Sequence, residues 1–170
     1  VSKSGSPAPR PMTSRPAALV FPPIEELVPH RGTMLLLDRV VSCDEQSIEA
    51  ERTVPAEGWY FDEQGGMPSW IGIELMAQAI AAYANLYAYA HGEPPKRGLL
   101  LGSKTYRVRA ARIAAGERLR VVARLSYRDD SGFAAYDCTI NSAGGELAAA
   151  TLKVYEPPDF DAFMRQATHS

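Results

Sequence analysis

From Ser69 to Ala90 the chain reads SWIGIELMAQAIAAYANLYAYA, an almost unbroken apolar run that carries a single carboxylate, Glu74. Such a run reaches the length of a membrane span. Its content argues against one: Glu74 and Gln78 sit inside it, and ionisable groups facing lipid are expensive. Its apolar side is rich in Ala, and it is the only such segment, set between stretches that read as strands. No membrane span is expected. Ser69 after Pro68 is the expected N-cap, and His91-Gly92 followed by Pro94-Pro95 supplies the stop. A helix apolar nearly all round, in a chain that does not cross a membrane, must be wrapped on most sides. A curved antiparallel sheet enclosing one central helix meets that demand.

The flanking text supplies such a sheet. FPPIEELVPHR predicts one helical turn at Ile24–Leu27, stopped by Pro29. TMLLLDRVVSCDE reads as a strand and SIEAERTV alternates with period two, with Asp44-Glu45-Gln46 as the turn between them. GWYFDEQGGMP is a glycine-punctuated loop. After the helix, LLLGSKTYRVRA, ERLRVVARLSYR, FAAYDCTINS and ELAAATLKVYEP read as four strands in an antiparallel meander, separated by glycine-bearing turns. The fold class is therefore α+β, not alternating βαβ units.

Residues 1–20 are expected to be a disordered tail, because six of the thirteen prolines fall before residue 24 with no hydrophobic periodicity. Met12 is the expected natural start, and no secretory h-region is present in this stretch. The folded domain is placed at 21–157, and 158–170 as a short helix or tail with Phe160, Phe163 and Met164 facing inward. Composition narrows the function classes. A net charge of −2 gives no basic excess for a nucleic-acid backbone. Two cysteines, Cys43 and Cys138, and three scattered histidines give neither a disulfide framework nor a metal motif. They suit a reducing cytoplasm, the expected location.

Glu74, Gln78 and Asn85 fall within roughly 40° of one another at helical spacing. A solvated stripe of this kind ordinarily carries Lys or Arg, and this one has none. A lone carboxylate on a buried helix instead points to a raised pKa and a functional site. With PHRGTMLLLDRV upstream, MPSWIGIELMAQAIAAYA at the helix and GSKTYRVRAARIAAGERLRVVARL downstream, the chain resembles the hotdog-fold 3-hydroxyacyl-(acyl carrier protein) dehydratases over residues 21–156. It is most similar to a divergent subgroup associated with aryl polyene biosynthesis. The resemblance implies a β-hydroxyacyl thioester on acyl carrier protein as substrate, syn loss of water to the trans-2-enoyl thioester, and no cofactor. It also implies a dimer of two hotdogs paired edge to edge, a homodimer or a heteromer with another hotdog protein.

The family's catalytic histidine precedes the helix in a G-H-F-P loop, and this chain has Trp59, Tyr60 and Phe61 there instead. Dehydration needs two groups on one side of the substrate, one to take the α proton and one to protonate the departing hydroxyl. His30 is therefore expected to replace the missing histidine as base, with Glu74 as acid and Gln78 orienting it. A packing role at the strand entrance is the competing reading of His30. His91 is expected to cap the helix C-terminus, and His169 lies in the tail. Ser69 and Trp70 at the helix N-terminus are expected to hold the enolate oxygen. Tyr60, Phe61 and Met67, with Trp70, are expected to face substrate. Lys96, Arg97, Arg107, Arg109 and Arg112 are candidates for receiving the acidic carrier. Two other functions stay open: a hotdog acyl thioesterase in which Glu74 activates water, and a non-catalytic hotdog subunit of a heteromeric dehydratase.

Overall fold

The structure, a computed structural model, describes residues 20–61 and 63–167, so the expectations for residues 1–19 and 168–170 lie outside the described residues. One helical turn, α1 (Ile24–Leu27), and a 3-10 turn at Gly32–Met34 lead into the hairpin β1 (Arg39–Cys43) and β2 (Ser47–Thr53). The two-residue strand β3 (Met67–Pro68) and a 3-10 turn at Ser69–Ile71 open the long helix α2 (Gly72–Ala90). Then follow β4 (Leu99–Val108), β5 (Arg112–Ile113), β6 (Arg118–Arg128), β7 (Phe133–Ser142), β8 (Gly145–Tyr155) and α3 (Phe160–Ala167). The Asp44 carboxylate builds the β1–β2 turn by accepting the Gln46 and Ser47 N–H groups at 2.9 and 2.7 Å.

Six strands form one antiparallel sheet in the order β1-β2-β6-β7-β8-β4, while β3 and β5 pair apart from it. Period-two alternation aims one side chain in two at α2. Leu119, Val121 and Ala123 of β6 do so, with Tyr136, Cys138 and Ile140 of β7 and Ala148, Ala150 and Leu152 of β8. Helix α2 answers with Leu75, Met76, Ala79, Ile80 and Tyr83, and packs against β2, β6, β7 and β8. This sheet with one long helix on its inner face is the hotdog fold that the apolar run demanded. Among the described residues no helix is long and apolar enough to cross a membrane.

Three local expectations differ from the structure. The first strand begins only at Arg39, because the Leu36 N–H and the Met34 carbonyl bond to the Gln78 side chain instead of to a neighbouring strand. The four later strands are not one meander: only β6, β7 and β8 are consecutive neighbours. The connection through α2 leaves β2 on one side of the sheet and delivers β4 to the opposite edge, beside β8. In α3 no residue is buried; Phe160 and Phe163 are half-buried and Met164 is exposed.

Candidate active site

His30 is set by the turn that ends α1. Val28 is extended, Pro29 blocks continuation, and the Arg31 guanidinium donates to the carbonyls of Val28 and His30, both at 2.7 Å. That turn brings His30 Nε2 to 3.2 Å from Glu74 Oε1, one turn into α2. Gln78, fully buried and one turn further on, donates to Glu74 Oε1 at 2.9 Å and to the Met34 carbonyl at 2.7 Å. It also accepts the Leu36 N–H at 2.9 Å. Oε1 therefore faces two nitrogens, and Oε2 is left to meet a ligand. His30 Nδ1 is buried without a hydrogen-bond partner.

The third polar residue of the helix has a structural task. The Asn85 amide donates to the Leu27 carbonyl at 3.0 Å and accepts the Lys96 N–H at 2.7 Å. It ties α1 and the exit loop to the helix, and with Gln78 it is buried, so this stripe is not a solvated face. Burial of Glu74 is only partial, however: its side chain is 34% exposed and that of His30 30%. The burial expected of this helix carboxylate is incomplete in a single chain.

The pair opens onto a cavity of about 380 Å³ that runs along α2. Ala77, Ala81 and Ala84 form its helical wall, Leu99 and Val154 its sheet wall, and Arg97 with Phe160 its far end. From Glu74, the positions i+3, i+7 and i+10 are all Ala, a small-residue stripe legible in the sequence. Phe160 carries no such signal, since only tertiary folding brings it beside α2.

The other predicted residues are placed elsewhere. Ser69 is not an N-cap: its Oγ donates to the Ala110 carbonyl at 2.5 Å and its N–H to the Ala111 carbonyl at 2.9 Å. Its carbonyl accepts the Tyr106 hydroxyl. With its N–H engaged, Ser69 has no donor left for an enolate oxygen. Trp70, at the same turn, is 60% exposed. Met67 is buried in the core, and Tyr60 packs between Trp59 and Phe61 with ring centroids 5.2 and 5.3 Å away. Tyr60, Phe61, Met67 and Trp70 do not line the His30–Glu74 cavity in the single chain. Of the basic candidates, Lys96 and Arg97 stand at that cavity, each ion-paired, to Glu93 and Asp161. His91 does sit at the helix C-terminus, Nδ1 lying 2.8 Å from the Tyr87 carbonyl. Both cysteines are free, and burial pushes the Cys138 thiol up to about 12, with Asp137 adding to the effect. Among the described residues no group of three His, Cys, Asp or Glu side chains is arranged to hold a metal.

A carboxylate on the central helix of a hotdog, in contact with an imidazole from the turn after α1 and beside an apolar cavity, defines the class: a hotdog-fold protein with a carboxylate–imidazole pair at its cavity. The chain belongs to the ApeP-like dehydratase family, whose model, described as ApeP dehydratase, matches residues 22–165. A 3-hydroxyacyl-[acyl-carrier-protein] dehydratase, FabZ of Acinetobacter baylyi, is 30% identical over 138 residues, covering 77% of this chain and 90% of the relative. Among solved structures, the dehydratase heterocomplex ApeI:P of Xenorhabdus doucetiae matches with a TM-score of 0.80 at 24% identity. That match covers 87% of this chain and 99% of the other. A hypothetical thioesterase of Streptococcus pneumoniae with coenzyme A shares the fold at a TM-score of 0.55 and 13% identity, over 69% of this chain and 84% of its own. The chain is thus a dehydratase, and the thioesterase likeness is one of fold.

Proposed function

We propose that this dehydratase removes water from a 3-hydroxyacyl thioester on acyl carrier protein, in fatty-acid-like or aryl polyene biosynthesis, with His30 and Glu74 as its catalytic pair. The observation that carries the site is the 3.2 Å contact of the two groups at the cavity. His30 takes the proton alpha to the thioester carbonyl, and the Cα electron pair forms the double bond. The Cβ–O bond breaks as Glu74 gives its proton to the hydroxyl, which leaves as water. The proton on His30 then returns to Glu74 across their contact, which resets the pair without a cofactor. Trp70, one turn before Glu74 but outside the cavity of a single chain, is assigned to hold the developing enolate oxygen through its N–H at the helix start only where a partner chain extends the site to it. Gln78 is a positioning residue, because it acts through Glu74.

The partner is a second hotdog chain, an identical copy or another family member, joined along β4. That strand pairs with β8 on one side only, and at this edge Leu101 and Val108 are 51% and 44% exposed. The FabZ relative is named for an acyl-carrier-protein substrate, and the ApeI:P structure is described as a heterocomplex; both support this reading. Purified protein given a 3-hydroxyacyl carrier-protein thioester is expected to generate enoyl absorbance without releasing thiol. Glu74→Gln and His30→Ala are each expected to lower kcat/KM by about 10²–10⁴-fold. Full turnover in either variant removes that residue from the pair.

A further inference from the structure

Two concavities meet behind the catalytic pair. The cavity along α2 ends at Lys96, Arg97, Glu156 and Phe160, and the same four residues line a second groove of about 530 Å³ on the outer surface. These four residues are thus common to both concavities. Phe160, the first residue of α3, is half-buried there. The Arg97 guanidinium lies 4.5 Å from the centre of the Phe160 ring and pairs with Asp161 at 2.5 Å. Helix α3 buries no residue of its own. It is held by that clamp, by Phe163 edge-on to Tyr155 at 5.5 Å, and by the Asp159 carboxylate accepting the Ala162 N–H at 2.8 Å. Such an element sits at the low-stability end of a structure.

The substrate's direction follows from the site. With the thioester carbonyl toward the start of α2 and Cα and Cβ at the Glu74–His30 pair, the rest of the acyl chain must run toward the helix C-terminus. It passes over Ala77, Ala81 and Ala84, and the helix rises about 15 Å from Glu74 to Ala84. The chain then meets the Phe160 ring. We infer that Phe160, clamped by Arg97 and Asp161, is the end-stop of the acyl cavity and sets the longest chain the dehydratase accepts. This inference rests on the assignment of His30 and Glu74 as the catalytic pair. Asn85 completes the device: by holding the Lys96 backbone it fixes the segment that carries Arg97.

The test measures kcat/KM for straight-chain 3-hydroxyacyl carrier-protein thioesters of increasing length. Phe160→Ala opens the cavity into the outer groove and is expected to raise the ratio of long-chain to short-chain kcat/KM about tenfold. Asp161→Asn, which frees Arg97, is expected to shift the ratio the same way by less. Ala81→Phe fills the cavity before the stop and is expected to shift it the other way. A length profile in Phe160→Ala that matches the unaltered protein, while His30→Ala loses turnover at every length, overturns the end-stop and leaves the catalytic pair standing. Turnover retained in His30→Ala overturns both. Because Phe160 is half-buried on a helix with no fully buried residue, only a small fall in melting temperature is expected to accompany the shift.

Discussion

Gln78 concentrates more of the site than any other single side chain. Its amide has two donor hydrogens and one carbonyl oxygen; the hydrogens meet Glu74 and Met34, and the oxygen meets the Leu36 N–H. It binds the Glu74 carboxylate to the segment that follows His30, so both halves of the pair share one support. Gln78→Leu is expected to strand the buried Leu36 N–H and cost about 1–3 kcal/mol of stability in urea unfolding. Gln78→Glu keeps an acceptor for Leu36 but no longer donates to Glu74. It is expected to lower kcat with little change in KM, whereas a merely structural role predicts a stability loss alone. The i,i+4 spacing of Glu74 and Gln78 made their contact readable in the sequence. His30 follows in the sequence from elimination together with the family resemblance, since nothing in VPHRG states which helix it will face.

At the scale of elements, the start of α2 is the informative junction. A serine after proline at the head of an apolar run reads as an N-cap, yet Ser69 bonds forward to the segment after β4. The competing partner lies some forty positions away, which local capping rules do not see. Close approach at the same junction explains Gly72. A Cβ there would stand 2.8 Å from Ile140 Cδ1 and closer still to the Tyr106 hydroxyl, which itself donates to the Ser69 carbonyl. Burial holds that phenol at a pKa of about 12, so it remains a donor across the working range. Gly72→Ala is expected to lower stability by about 1–3 kcal/mol, despite the better helix propensity of Ala, with the loss read as a lower Tm. Strand β1 makes the same point: its shortened start follows from the long-range grip of Gln78 on Met34 and Leu36.

For the whole molecule, the edge at β4 is where the proposed partner chain joins. Its unpaired backbone groups and exposed Leu101 and Val108 form a template for another strand. Glu74 and His30 keep about a third of their side-chain surface exposed, so a neighbour that covers them would complete their desolvation. Leu101→Glu is expected to convert an associated species to monomer in sedimentation or light scattering, and to lower dehydration along with it. An unaltered protein that sediments as a monomer and turns over fully would remove the partner from the reading.

The apolar run with its lone carboxylate determined the central helix, the sheet that must cover it and the carboxylate that stands at the cavity. Those follow from periodicity and desolvation, which act along the chain. That the expected His30 does meet Glu74, that Phe160 stands beside the cavity and that β4 lies at a sheet edge were decided only by the tertiary structure. Each of these joins positions far apart in sequence, and burial and hydrogen bonding between such positions depend on how the sheet is ordered around the helix, a property no local window contains.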